Sequence, residues 1–120
     1  MAYLDLRRRL SAFIDPQAEA LSTLSILQQT VQRGEESKFY LSLSEILRKY
    51  IQAAFHMNTY DETTEELLAL VNQHSLYPKD MHQLLKEFFQ TADLVKFARY
   101  HPSKEECEEA FNKVQRLILS

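Results

Sequence analysis

Along most of the chain the apolar side chains recur every three or four residues, the spacing that gathers them on one face of an α-helix. No segment alternates apolar and polar residues for long enough to read as a strand. The pattern is interrupted at recognisable stop and start signals, so it predicts a series of amphipathic helices. The first covers Leu4 to Ile14, with Leu6, Leu10, Phe13 and Ile14 on one face. Asp15-Pro16 ends it and opens the next: Asp15 supplies an N-cap oxygen, and Pro16 stands at the first helical position, where its missing N–H costs nothing. The second helix carries Ala20, Leu21, Leu24, Leu27 and Val31 on one stripe. It stops at Gly34, which can take the positive φ that follows many helix ends.

The third predicted helix, from about Glu36 to His56, is the most hydrophobic. Phe39, Tyr40, Leu43, Ile46, Leu47, Tyr50, Ile51, Ala54 and Phe55 share a face, which makes it the expected centre of the core. Thr63-Thr64-Glu65-Glu66 reads as a capping box, the Thr63 hydroxyl meeting the Glu66 amide and the Glu66 carboxylate reaching back to the Thr63 amide. It opens a short helix that ends near His74. Pro78 or Lys79 begins a fifth helix with Met81, Leu84, Leu85, Phe88 and Phe89 on its apolar face and a bend expected at Asp93. Ser103-Lys104-Glu105-Glu106 repeats the capping-box logic and opens a last helix carrying Ala110, Phe111, Val114, Leu117 and Ile118. The predicted fold is all-α, a single compact bundle of five to six short helices. Residues 1–35 read as an N-terminal helical hairpin and residues 36–120 as the helical core of one structural domain.

Composition agrees. With 1 Gly and 3 Pro there are too few breakers for a many-stranded β fold, and 120 residues hold one core, not two. Lys and Arg number 14 against 17 Asp and Glu, so the basic excess that carries nucleic-acid affinity is missing. A helical nucleic-acid-binding regulator is therefore only the alternative reading, kept because short helices joined by tight turns can host a helix-turn-helix. The longest apolar run, Leu67 to Val71, is far short of the roughly 20 residues of a membrane-spanning helix. The charged start of the chain, with Asp5 and Arg7-Arg8-Arg9, is unlike a secretion signal.

The candidate chemistry is sparse. His56, His74, His82 and His101 include no pair at i, i+4 that would share a metal, and no metal or cofactor is expected. Cys107 has no partner for an internal disulfide and no nucleophile motif around it, so a packed thiol is the expectation. A single glycine excludes the glycine-rich nucleotide-binding loops. Glu65, Glu66, Glu105, Glu106, Glu108 and Glu109 cluster in first helical turns, where the helix dipole favours negative charge, so capping explains them before catalysis does. Tyr3, Tyr60 and Tyr77 are candidate exposed aromatics.

The most unusual stretch is Asp93-Leu94-Val95-Lys96-Phe97-Ala98-Arg99-Tyr100, with charged and apolar residues tightly interleaved. Two readings fit it. In the plainer one it is an interhelical corner, with Leu94, Phe97 and Ala98 turned inward and Asp93 paired to Lys96 at i, i+3. In the sharper one Lys96 and Arg99 face a protein partner.

Three blocks, Phe39 to Ile51, Thr63 to Leu68, and Ala92 to Arg99 with Pro102-Ser103, together resemble the cytoplasmic helical domain of BatD-like proteins. These are membrane-anchored bacterial proteins of aerotolerance-type operons, encoded beside a MoxR-class AAA+ ATPase and von Willebrand factor A domain proteins. The resemblance covers about residues 36–119 and implies an interaction or adaptor domain at the cytoplasmic face of the inner membrane, without catalytic residues or cofactor. This sequence departs from the pattern in having no transmembrane segment. It is expected to be an excised soluble domain rather than a free-standing relative, with Arg7-Arg8-Arg9 just inside the membrane and residues 1–35 membrane-proximal. The expected function is non-enzymatic protein interaction, through Asp93, Lys96 and Arg99, with Arg48 and Lys49 on the exposed face of the central helix as a second candidate pair.

Overall fold

A computed structural model describes residues 15–30, 34–59 and 61–120. Within them are five helices and no strand: α1 (Pro16–Thr30), α2 (Glu36–Phe55), α3 (Thr64–Gln73), α4 (Lys79–Phe97) and α5 (Lys104–Leu119). The all-α bundle expected from the periodicity is thus the fold. The first predicted helix, Val31, Arg7-Arg8-Arg9, Tyr3 and Tyr60 lie outside the described residues.

Two of the start signals, at Asp15 and Ser103, work as the sequence predicts. Asp15 Oδ1 accepts the Ala18 amide at 3.1 Å, and α1 begins at Pro16. Ser103 closes a full capping box: its hydroxyl accepts from the Glu106 amide at 3.1 Å, and the Glu106 carboxylate accepts from the Ser103 amide at 3.0 Å. At Thr63 only half the box forms. Its hydroxyl accepts the Glu66 amide, while the Glu66 carboxylate turns to the Glu62 carboxyl instead. Gly34 takes a φ of 91°, a left-handed conformation that glycine adopts without strain.

Helix α2 is the centre of the bundle, packing against α1, α4 and α5, while α3 leans on α4. Seven of its nine predicted core side chains are buried, and Ala54 and Phe55 pack partly buried against the core. Ala20 and Leu24 of α1 belong to the same cluster, so residues 16–30 share the core of residues 36–120. Ring contacts run through the interior: Tyr40 stacks on Phe88 at 5.3 Å, Phe39 on Phe111 at 6.4 Å, and Phe55 meets the edge of Tyr77 at 5.8 Å. Tyr77 is therefore not an exposed aromatic. It is buried, and its hydroxyl donates to the Leu117 carbonyl at 2.9 Å, tying the α3–α4 link to the end of α5.

Helix α4 runs unbroken through Asp93 to Phe97, so the expected bend there is absent. Its buried side chains, Met81, Leu85, Phe88, Phe89, Ala92 and Val95, keep one register to the last turn. Arg99 then takes a φ of 55°, and the amides of Ala98 and Tyr100 both donate to the Leu94 carbonyl, which stops the helix.

Candidate functional site

The interleaved stretch at the end of α4 faces outward. Leu94 is 50% and Phe97 74% exposed, and Ala98 is exposed too, which overturns the expectation of an inward-turned corner. The buried residues of this turn are Ala92 and Val95. Asp93 and Lys96 form no ion pair among the described residues; the Lys96 ammonium lies 5.2 Å from the centre of the Phe97 ring instead. The segment beyond the helix is held firmly. The Tyr100 hydroxyl donates to Glu106 at 2.5 Å, which raises the tyrosine, and that hydrogen bond together with the Ser103 amide lowers the Glu106 carboxyl.

Phe97 stands on the rim of an open groove of about 650 Å³ between α2, α4 and the turn that opens α3. Leu41, Glu45 and Lys49 line it from α2, Asp93 and Lys96 from α4, and Asp61 to Glu65 from the turn. Four of the five residues singled out in the sequence therefore meet at one place: Arg48, Lys49, Asp93 and Lys96. Arg99, exposed just beyond the helix end, is not part of the lining, and among the described residues it has no hydrogen bond or ion pair.

Arg48 is not on an exposed face, as the sequence reading had it. It is half-buried in the groove wall. Its Nη1 donates to the carbonyls of Thr59 and Glu62, each at 3.0 Å, and its guanidinium lies 5.2 Å from the Phe89 ring centre. Burial lowers its pKa, opposed by the nearby Asp93 carboxylate. Arg48 holds the groove together from inside and leaves Lys49 as the exposed member of the pair.

Two further features of the groove were not read from the sequence. The Glu62 carboxyl is held above its usual range, first by its hydrogen bond to Glu66 and also by repulsion from Glu66 and Asp61. Thr64, 7% exposed, has a buried hydroxyl with no hydrogen-bond partner. Neither had a sequence signal of its own, because both depend on how the turn folds back over α2.

Cys107 is buried with its Sγ 3.5 Å from the Glu36 carbonyl, and burial pushes its thiol up to about 11, which keeps it protonated at neutral pH. Among the described residues no group of His, Cys, Asp and Glu could hold a metal ion, and no helix is long and apolar enough to cross a membrane. No family model, curated protein or solved structure matches this chain.

Proposed function

We propose that this chain is a non-enzymatic protein-interaction module whose docking site is the groove between α2, α4 and the 61–65 turn. The observation that carries this reading is the outward placement of Leu94 and Phe97. They lie three residues apart on a helix whose buried stripe points elsewhere, and Phe97 borders a groove lined by charged side chains. Single exposed apolar residues are ordinary, but two large ones side by side, with Phe97 on the rim of a groove and Leu94 on the open face beside it, suit a surface that a partner covers. Asp93, Lys96 and Lys49 then supply the polar wall, and Arg99 stands beside it.

The partner follows from the resemblance to BatD-like domains: a von Willebrand A-domain protein or a MoxR-class ATPase, met at the cytoplasmic face of the inner membrane. Calorimetric titration of the chain with each of these two proteins from the same operon tests the reading. Binding of one of them with micromolar or tighter affinity supports it, and no binding to either removes it.

A further inference from the structure

The lining of the groove is acidic on balance, with Glu45, Asp61, Glu62, Glu65 and Asp93 against Arg48, Lys49 and Lys96. Asp61, Glu62, Glu65 and the neighbouring Glu66 fall within six consecutive positions, and none of them has a basic partner within ion-pair distance among the described residues. Of the three cations in the lining, Lys49 stands exposed on the α2 wall and the other two are engaged. Arg48 is bound to two carbonyls and faces Asp93, and Lys96 lies over the Phe97 ring. The Glu62 carboxyl is raised first by its hydrogen bond to Glu66 and also by repulsion from Glu66 and Asp61. In the same lining the Thr64 hydroxyl, buried and unpartnered, is a polar group that the fold leaves unsatisfied. Beside these stands an exposed aromatic ring, Phe97.

We infer that the groove takes a basic segment of a partner protein, its Lys or Arg side chains against Asp61, Glu62 and Glu65 and one apolar side chain against Phe97. This rests on the interaction reading above and adds the chemistry of the occupant. A cation entering the mouth relieves the repulsion between the carboxylates. Lys96, on the opposite wall, limits how far the basic tract can extend.

The test uses two short amphipathic peptides, one of Leu and Lys and one of Leu and Glu in the same pattern, titrated into isotope-labelled protein and followed by amide chemical shifts. The Leu/Lys peptide is expected to perturb residues 41–49, 61–65 and 92–97. Its affinity should fall about tenfold in an Asp61→Asn/Glu65→Gln variant and not in a Glu108→Gln/Glu109→Gln control on the far surface of α5. Equal or tighter binding of the Leu/Glu peptide in the groove overturns the inference on charge and leaves the docking site standing. Perturbation spread over other acidic surfaces, an equal loss in the control variant, or no binding overturns it as well. The titration with whole partner proteins, read separately, decides the interaction reading itself.

Discussion

Arg48 and Thr59 hold each other reciprocally: the Arg48 guanidinium donates to the Thr59 carbonyl at 3.0 Å, and the Thr59 hydroxyl donates to the Arg48 carbonyl at 3.1 Å. The pair fastens the irregular segment after α2 onto the helix it has just left. With the further bond to the Glu62 carbonyl, it sets where the acidic turn stands over the groove. Thr59 is fully buried, so its hydroxyl has no water to turn to.

Arg48→Ala removes two charge-assisted bonds and a ring contact, and is expected to lower stability by about 2 kcal/mol. Thr59→Val is expected to cost about 1 kcal/mol. Urea unfolding of both and of the double variant measures the coupling. The double variant should lose less than the two losses added, because the two bonds are separate but fasten the same turn, and a turn loosened by one change weakens the bond that remains.

Arg99 occupies a left-handed position where glycine is the usual residue. Arg99→Gly is expected to stabilise the fold by up to about 1 kcal/mol, seen as a higher thermal midpoint, since the side chain has no described partner to lose. A lower midpoint would show that the arginine is held by contacts the fold needs.

Burial raises the Tyr40 phenol to about 12 and pushes the Tyr77 phenol up as well. A tyrosine with a raised folded-state pKa contributes stability that is complete below the unfolded value, near 10, and is lost as the pH rises through the folded value. Stability should therefore hold to about pH 10 and fall steeply up to about pH 12, by on the order of 2 kcal/mol from Tyr40 alone. Denaturant midpoints across that range should show a shallower fall in Tyr40→Phe.

A helical nucleic-acid-binding regulator would bind duplex DNA through phosphate contacts and lose affinity steeply with salt. With carboxylates outnumbering cations in the chain and in the groove lining, no mobility shift of duplex DNA is expected at about 150 mM salt. A salt-dependent shift would revive that class.

The helices and their starts were legible because they rest on local chemistry: Asp15-Pro16, Thr63 and Ser103 each cap the helix that follows, and the three-and-four spacing marks the buried stripes. The outward turn of Leu94 and Phe97 was legible in principle. Continuing the register of Met81, Leu85, Phe88, Ala92 and Val95 puts Leu94 and Phe97 roughly 140° and 160° from the centre of that stripe, on the opposite side of the helix, at about 100° per residue. Assuming a break at Asp93 discards that register, and the apolar residues then look buried. The role of Arg48 was not legible, since its partners are main-chain carbonyls that follow it by 11 and 14 residues and come close only once the turn is folded. Backbone acceptors leave no mark in the pattern of side chains. The meeting of Lys49, Asp93 and Lys96 at one groove depends in the same way on how α2 crosses α4.

The most direct test of the central claim is partner affinity in Phe97→Ala and Leu94→Ala variants, measured by titration with the partner protein that binds the wild type, alongside their thermal midpoints. Because both side chains are largely exposed, the midpoints should stay close to that of the wild type. Affinity should fall about tenfold or more in Phe97→Ala. Unchanged affinity in both folded variants would contradict the account, because the partner would then dock somewhere other than the groove.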